Sequence, residues 1–315
     1  MRVLVTGGAG FIGSHLVDRL LDRGAEVSMA DHLHRSPNSW FGEALLRGAQ
    51  LYVADVRDLP ALRPAFAAAR PEVVLHLAAQ VDVRVSVADP AFDAQVNVAG
   101  TVSVLEAARE VGARRVVMAS TAAVYGDPPD LPTDEDAPIA PLSPYGTSKA
   151  AAEWYLGQYR RLHGISTLAL RMANVYGPRQ DPHGEAGVVS IFSGLAASGA
   201  RATLFGDGRQ TRDYVYVDDV VDAWLAAAAS DVTGALNIAT GVETSVLELA
   251  EELDLAYDFA PGRVGEVERS RLDPSAAAAQ LDWRPAVPLA TGLRRTLGAI
   301  SSEVSRPAPA APGVP

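Results

Sequence analysis

Cysteine is absent from the 315 residues of this chain. Disulfide bonds, thiolate metal sites and cysteine nucleophiles are therefore all excluded. Long apolar runs are absent as well: the richest uncharged stretch, 223–229, is short and mostly alanine, so we predict no transmembrane helix and no membrane partner. The first residues, MRVLVTGGAG, reach glycine too early for the apolar core of a signal peptide, and we expect a cytoplasmic protein.

Lysine is almost absent. The chain has 27 basic residues, and all of them are arginine except Lys149. The formal net charge of −11 argues against nucleic acid or an anionic membrane as the main partner. Because 48% of the residues are hydrophobic, the chain is globular, and its length suits a two-lobed enzyme with a sizeable core.

The single lysine follows Tyr145 by four residues. In a helix, residues at this spacing lie on one face. A cation beside a phenol lowers the phenol pKa from about 10 and makes tyrosine a usable acid or base near neutral pH. An isolated pair of this kind is more simply an exposed helix pair. The use of arginine everywhere else favours chemistry here, because a guanidinium does not reproduce a compact ammonium.

The first 175 residues alternate short apolar runs with helical patterns. Near-continuous apolar runs are typical of strands buried on both faces of a parallel sheet, so the alternation predicts an α/β fold with a Rossmann-type doubly wound parallel sheet. The predicted strands are Arg2–Thr6, Glu26–Asp31, Leu51–Asp55, Val73–Ala78, Val116–Thr121 and Ser166–Ala173. The predicted helices are Ile12–Arg23, Pro60–Ala69, Ala91–Val111 and Tyr145–His163.

The alternation weakens after residue 175. We therefore predict a first domain over 1–175 and a smaller C-terminal lobe over 176–300, some segments of which return to the first domain. Residues 301–315 are rich in proline and alanine and are predicted to form a disordered tail. His32 and His34 could suggest a metal, but two histidines without further ligands nearby are more typical of a solvated loop, so no metal site is predicted.

A glycine-rich turn joins the first predicted strand to the first helix. Gly7, Gly10 and Gly13 have the spacing G-x-x-G-x-x-G. Glycines at this junction let the backbone approach a pyrophosphate at the helix N-terminus, which favours a dinucleotide site over a simple tight turn. Asp31 ends the second strand, where a carboxylate accepts from the adenosine ribose and repels a 2′-phosphate, so we predict NAD rather than NADP. Asp55 ends the third strand and could meet the adenine or cap the next loop.

Together these motifs make the chain resemble the extended short-chain dehydrogenase/reductases that act on nucleotide sugars. The resemblance is greatest to the UDP-galactose 4-epimerase group. The segments that carry it are GGAGFIGSHL (7–16), HLAAQ (76–80), NVAGT (97–101), ASTAAVYGD (119–127), SPYGTSK (143–149), LRMANVYGPRQ (170–180), GDGRQTRDYVYVDD (206–219) and RVGE (263–266).

The resemblance implies roles for particular residues. Tyr145 would be the acid/base on the sugar 4-hydroxyl, Lys149 would bind the nicotinamide ribose, and Thr121 would hydrogen-bond the same hydroxyl. The other implied cofactor residues are Gly7, Gly10, Phe11, Ile12, Gly13, Asp31, His32, Asp55, Val56, Leu77, Ala78, Ala79 and Ser120. The other implied substrate residues are Asn174, Arg212 and Arg263 at the diphosphate, Glu266, Thr203 and Phe205 at the nucleoside, and Val188 and Ser270 at the pocket. From its neighbours alone, Arg212 could equally pair with Asp213 or Asp218.

The activity implied is NAD-dependent 4-epimerisation of a UDP-sugar through a transient 4-keto intermediate. UDP-glucose and UDP-galactose, with N-acetylated sugars in addition, would be the substrates, and the enzyme would be a homodimer. One alternative is a nucleotide-sugar 4,6-dehydratase or decarboxylase, whose members carry polar groups where this chain has Ala122 and Ala123. The other is a catalytically silent NAD-binding Rossmann protein, although such proteins commonly lose the tyrosine and lysine.

Overall fold

The computed structural model describes residues 1–34, 40–181, 187–262 and 267–304. Its strands are β1 (Arg2–Thr6), β2 (Glu26–Asp31), β3 (Gln50–Val53), β4 (Val73–His76), β5 (Arg115–Thr121), β6 (Ser166–Met172), β7 (Asn174–Tyr176), β8 (Ala202–Phe205), β9 (Thr211–Tyr216), β10 (Gly234–Ile238), β11 (Glu243–Ser245) and β12 (Tyr257–Ala260). Its α-helices are α1 (Phe11–Asp22), α2 (Trp40–Leu46), α3 (Leu59–Ala69), α4 (Val83–Ala88), α5 (Pro90–Ala94), α6 (Gly100–Glu110), α7 (Pro144–His163), α8 (Val188–Ser198), α9 (Val217–Ala229), α10 (Val246–Glu252), α11 (Ser275–Leu281) and α12 (Leu289–Val304).

A parallel sheet of seven strands forms the centre, in the order β10–β6–β5–β4–β1–β2–β3. Successive strands are added on one side of β1 up to β3 and on its other side from β4 onwards. This change of side between β1 and β4 creates the crevice where doubly wound folds bind ligands. The Rossmann-type sheet is confirmed. Strand β10 comes from the C-terminal part of the sequence and extends the sheet beside β6.

Apolar side chains cover both faces of this sheet. Along β1, Val3 and Val5 belong to one buried cluster and Leu4 belongs to another, because successive strand residues point to opposite faces. Helices α1 and α9 pack on the first face, and α3, α6 and α7 pack on the second. Burial on both faces explains why the strands read as continuous apolar runs.

The C-terminal lobe contains two small sheets. One has the order β11–β9–β7, and the other pairs β12 with β8 in parallel. Helices α8, α10 and α12 pack around them. Among the residues that the structure describes, no helix is both long enough and apolar enough to cross a membrane.

Several boundaries differ from the sequence-based predictions; the fourth strand, for example, ends at His76 and not at Ala78. The helix predicted over Ala91–Val111 is divided: α5 and α6 are joined by a π-helical segment, Gln95–Ala99. The third strand ends at Val53 because the next residues form the turn that Asp55 caps. The predicted tail begins too early, since α12 continues to Val304, and 305–315 lie outside the described residues.

Candidate active site

A cavity of about 500 Å³ opens at the carboxyl edge of the main sheet. Residues distant in sequence meet there because parallel strands all direct their carboxyl ends to one edge. The cofactor residues predicted from the sequence all lie on its wall: Gly7, Gly10, Phe11, Ile12, Gly13, Asp31, His32, Asp55, Val56, Leu77, Ala78, Ala79, Ser120, Tyr145 and Lys149. Of the predicted substrate residues, Thr121, Tyr145 and Asn174 line it as well.

The glycine turn forms one end of the cavity, and two positions in it accept no side chain. Gly7 has φ +70°, and a Cβ there would lie 2.7 Å from the backbone nitrogen of Ala78. A Cβ on Gly13 would lie 2.1 Å from the carbonyl oxygen of Gly7. The turn therefore packs directly against the backbone that follows β4. Among the described residues, no side chain caps the N-terminus of α1, so its backbone N–H groups face the cavity end as an anion site.

Asp31 fixes this turn to the end of β2. Its Oδ2 accepts a hydrogen bond from the backbone N–H of Ala9 at 3.1 Å, and its Oδ1 accepts from Leu33 at 2.9 Å. The carboxylate is buried yet lines the cavity. It therefore shapes the glycine turn and places a negative charge where a ribose or a 2′-phosphate would lie.

Asp55 caps the turn after β3, the second of the two roles considered for it. Its Oδ1 accepts from the backbone N–H of Arg57 at 2.9 Å, and its Oδ2 accepts from the Arg57 guanidinium at 2.6 Å. The hydrogen bond from Arg57 holds the pKa of the Asp55 carboxyl below its usual range. Arg57 also lines the cavity and lies over the ring of Phe92, 5.3 Å from its centroid. Neither Arg57 nor Phe92 was among the residues predicted from the sequence.

Helix α7 positions the tyrosine and the lysine. Ser143 caps it by accepting a hydrogen bond from the N–H of Gly146 at 3.1 Å, and Pro144 occupies the first helical position. A Cβ on Gly146 would lie 2.5 Å from the carbonyl oxygen of Ala123, so the helix start packs closely on the turn after β5. This contact places Tyr145 beside the end of the strand that carries Thr121.

Lys149 is 4% exposed, and its Nζ donates a hydrogen bond to the carbonyl oxygen of Ala119 at 3.1 Å. Burial lowers its pKa to about 8, while the charges of Asp93 and Glu153 act in the opposite direction. The ammonium therefore persists at neutral pH, close below the tyrosine on the same helix face.

Thr121 ends β5 and starts a short 3₁₀ turn, Ala122–Val124. Its Oγ1 accepts a hydrogen bond from the N–H of Ala123 at 3.1 Å, which fixes the hydroxyl and leaves its hydrogen for a substrate oxygen. Ala122 and Ala123 follow directly and carry no group that can transfer a proton.

A buried polar network supports this wall from behind. The hydroxyl of Ser120 donates to Glu153 at 2.5 Å, and Glu153 forms an ion pair with Arg171 at 2.7 Å. Arg171 lies over the ring of Tyr125 and donates to its hydroxyl at 2.8 Å. The hydroxyl of Tyr125 donates in turn to Asn237 on β10, which connects β5, β6, β10 and α7.

Two amide side chains missed by the sequence analysis fix the cavity beside Lys149. Asn97 donates to the carbonyl oxygen of Gln80 at 2.9 Å and to the hydroxyl of Ser148 at 3.1 Å, and its own Oδ1 accepts from the N–H of Gln80. The motifs HLAAQ and NVAGT contained the signal, since both place an amide at the edge of the predicted site. His76 is a satisfied core histidine, as expected: it is hydrogen-bonded to Thr6 and Thr101.

Comparisons with known proteins identify the family to which the chain belongs. The model of the NAD dependent epimerase/dehydratase family matches residues 3–239. The chain belongs to that family. A UDP-glucose 4-epimerase of Mycolicibacterium smegmatis is 48% identical over 313 residues, covering 94% of this chain and 97% of the relative.

Two solved structures agree with this assignment. UDP-glucose 4-epimerase of Thermotoga maritima, solved with UDP-glucose, is 41% identical and superimposes with a TM-score of 0.92, covering 97% of this chain and 100% of that one. UDP-glucose 4-epimerase of Thermus thermophilus, solved with NAD, is 44% identical with a TM-score of 0.88, covering 95% and 99%. The residues that line the cavity fit NAD: the backbone amides of the glycine turn would hold the diphosphate, Asp31 would accept from the adenosine ribose, and Lys149 would bind the second ribose.

Five of the remaining predicted substrate residues are described by the structure, and they do not line this cavity. Val188, Thr203, Phe205, Arg212 and Ser270 lie in the C-terminal lobe, whereas Arg263 and Glu266 lie outside the described residues.

Arg212 and Asp213 both lie on β9. The Nη1 of Arg212 donates to the carbonyl oxygen of Thr211, and the carboxylate of Asp213 accepts from the backbone N–H groups of Thr240 and Gly241. A phosphate contact by Arg212 stays a prediction.

Proposed function

We propose that this chain interconverts UDP-glucose and UDP-galactose by NAD-dependent 4-epimerisation. The observation that carries the proposal is the placement of Thr121, Tyr145 and Lys149 on one wall of the cavity that begins at the glycine turn. A hydride acceptor and a proton acceptor can therefore act on the same sugar carbon and its oxygen.

The chain's own residues move and hold the proton. Tyr145, as phenolate, accepts the proton of the sugar 4-hydroxyl and returns it at the end of the reaction. The buried ammonium of Lys149 favours the phenolate. The hydroxyl of Thr121 donates its hydrogen to the same oxygen and so orients it. When bound, NAD supplies the reversible hydride transfer at sugar carbon 4. The 4-keto sugar rotates in the cavity and presents its other face, while the anchored nucleotide keeps it bound.

Elimination and decarboxylation are less well supported by the residues present. Expelling a hydroxyl at sugar carbon 6 requires a further acid and base beside the strand-end threonine. The positions that follow it are Ala122 and Ala123, which can play neither role. A catalytically silent role is disfavoured because the tyrosine and the lysine are both present and both line the cavity.

A panel of UDP-sugars tests the activity. The purified protein is incubated with each sugar, and the 4-epimers are resolved by chromatography. We expect UDP-galactose to yield UDP-glucose, and Tyr145→Phe to yield neither epimer while the protein stays folded. Dehydrated or decarboxylated products from the parent protein would contradict the proposal.

The sugar range is proposed to include N-acetylated sugars because the resemblance to the epimerase group assigns the gate of the sugar pocket to Ser270, and serine is small. An aromatic ring there would fill the space beside sugar carbon 2, whereas a serine leaves room. Ser270 is half-buried and follows Arg269, whose guanidinium is paired with Glu243 at 2.6 Å. We expect Ser270→Tyr to lose UDP-N-acetylglucosamine and to keep UDP-glucose. Equal loss of both substrates, or no N-acetyl activity in the parent, would place the gate elsewhere.

A homodimer is proposed on the exposed apolar face of α7. Trp154, Tyr155 and Leu162 are 66%, 42% and 71% exposed and lie at positions i, i+1 and i+8 of this helix. Exposed large side chains grouped on one long helix are typical of an interface, and a second copy of this chain offers the same surface.

Light scattering tests the dimer. The parent protein should have the mass of two chains, and Trp154→Glu should shift it towards one. Leu46→Glu serves as the control, because Leu46 is 91% exposed on α2, a helix that packs against α1. A monomeric parent at micromolar concentration would contradict the proposal.

Two further predictions remain proposals. The division into a domain over 1–175 and a lobe over 176–300 is supported by the two small sheets, with β10 as a segment that crosses back. The cytoplasmic location still depends on the sequence argument alone.

A further inference from the structure

The ammonium of Lys149 is held in a place that does not favour a charge. It is 4% exposed, and the carbonyl oxygen of Ala119 is its hydrogen-bond acceptor among the described residues. Taking an ammonium out of water favours the neutral amine. Negative charge nearby must therefore compensate if the lysine is to stay protonated. Two carboxylates act in that direction, and the effect of Asp93 is larger than that of Glu153.

The charge of Glu153 is already neutralised. Its carboxylate accepts from the Arg171 guanidinium at 2.7 and 3.1 Å and from the Ser120 hydroxyl at 2.5 Å. The two charged side chains are 10% and 8% exposed, so the pair is a closed unit behind the cavity wall. Such a pair presents little net charge to Lys149.

The charge of Asp93 is not neutralised in this way. Asp93 is 1% exposed, and its Oδ1 accepts from two amide groups, Nε2 of Gln80 at 2.9 Å and Nδ2 of Asn97 at 3.1 Å. Its Oδ2 is buried and accepts no hydrogen bond from the part of the chain that the structure describes. A buried carboxylate without a counter-charge is costly, so a nearby cation must offset it.

The local structure places this carboxylate on a helix that packs against α7, the helix of the lysine. The π-helical segment after α5 directs Asn97 inward, where it contacts both Asp93 and the hydroxyl of Ser148, the residue before Lys149. Helices α5 and α7 pack against each other at this point. Asn97 thus links the buried carboxylate of Asp93 to the residue that precedes the buried Lys149 on α7.

We propose that Asp93 is the counterion of Lys149, a positioning residue that keeps the ammonium protonated where Tyr145 must act as a base. The other charged or titratable groups facing the lysine do not replace it. His76 faces it from β4, but burial lowers the pKa of this histidine to about 3, so it is neutral. Glu153 and Tyr145 share the helix of the lysine, and Glu153 is paired. The catalytic consequence rests on the proposed epimerase function, but the charge pairing does not.

The single lysine of the chain makes the test direct. Protein grown with ε-¹³C-lysine contains one labelled side chain, so its carbon resonance reports the titration of Lys149 alone. Asp93→Asn keeps the shape and an amide oxygen for the two hydrogen bonds but removes the charge. We expect its titration midpoint to fall by about one pH unit relative to the parent. Asp89→Asn is the matched control, because Asp89 is an exposed N-cap of the same short helix and should titrate with the parent.

Activity gives a second readout. Because the ammonium is lost at lower pH in Asp93→Asn, the alkaline limb of its kcat profile should shift to lower pH. Asp93→Glu should restore the midpoint and the limb. If Asp93→Asn does not fold, Asp93→Ser, which is also neutral, replaces it in the titration. An unchanged midpoint in a folded neutral variant overturns the proposal. A shifted midpoint in a protein without epimerase activity would uphold the counterion and reject the proposed function.

Discussion

Replacing Glu153 by glutamine removes the charge from the buried ion pair behind the cofactor wall. The side chains of Glu153 and Arg171 are 10% and 8% exposed, so water does not replace the lost partner. Arg171 would keep its bonds to the Tyr125 hydroxyl and the Glu135 carbonyl oxygen, neither of which carries a full negative charge. Leaving one member of a buried pair unpaired costs roughly 3–5 kcal/mol of the free energy of unfolding.

Thermal unfolding followed by circular dichroism measures this loss. At about 2 °C per kcal/mol for a chain of this size, the melting temperature should fall by roughly 6–10 °C. The double variant Glu153→Gln/Arg171→Met removes both charges and should recover much of the loss. Glu110→Gln is the control: its ion pair with Arg63 is on the surface, and its removal should change the stability little. Equal decreases of the melting temperature in Glu153→Gln and Glu110→Gln would show that burial does not make the loss of an ion pair more costly.

Three further predictions concern the cavity. Lys149→Arg should lower kcat by orders of magnitude while the protein stays folded, since the guanidinium keeps the charge but does not fit the space of the ammonium. Near-normal turnover would make Lys149 an ordinary buried residue. The value of kcat should fall as the pH rises through about 8, because the buried Lys149 then loses its proton and no longer favours the phenolate. A kcat that stays constant to pH 10 would contradict this. Asp31→Asn keeps an oxygen that accepts from the N–H of Ala9 but removes the negative charge. Calorimetric titration should therefore show that NADP gains affinity relative to NAD. An unchanged preference for NAD would reject the role of the carboxylate.

The glycine turn and the strand ends could be predicted from the sequence because their signals are local. Continuous apolar runs indicated β1, β2, β5 and β6 to within two residues, and the spacing of the glycines indicated the turn. Gly13 is required by a contact with the backbone of Gly7 in the same turn, and Gly7 by a contact with the backbone of Ala78, which follows the neighbouring strand β4. The short glycine motif carries the signal for both positions. The cofactor residues predicted from these motifs meet in one cavity for the same reason.

The supporting network could not be predicted, because its members lie far apart in the sequence. Glu153 contacts Ser120 and Arg171 across 33 and 18 residues, and no local pattern pairs them. The π-helical segment at Gln95–Ala99 interrupts an otherwise regular helix so that Asn97 can reach Gln80, which is a tertiary constraint. The substrate residues of the C-terminal lobe were assigned by resemblance and remain predictions.

The fate of the hydrogen at sugar carbon 4 distinguishes 4-epimerisation from elimination and from net oxidation. UDP-galactose carrying deuterium at carbon 4 is incubated with the purified protein without added NAD, and the product is analysed by mass spectrometry and NMR. We expect UDP-glucose that retains deuterium at carbon 4, with no reduced cofactor accumulating in solution. Deuterium lost to water, deuterium moved to carbon 6, or reduced cofactor released in proportion to product would contradict it.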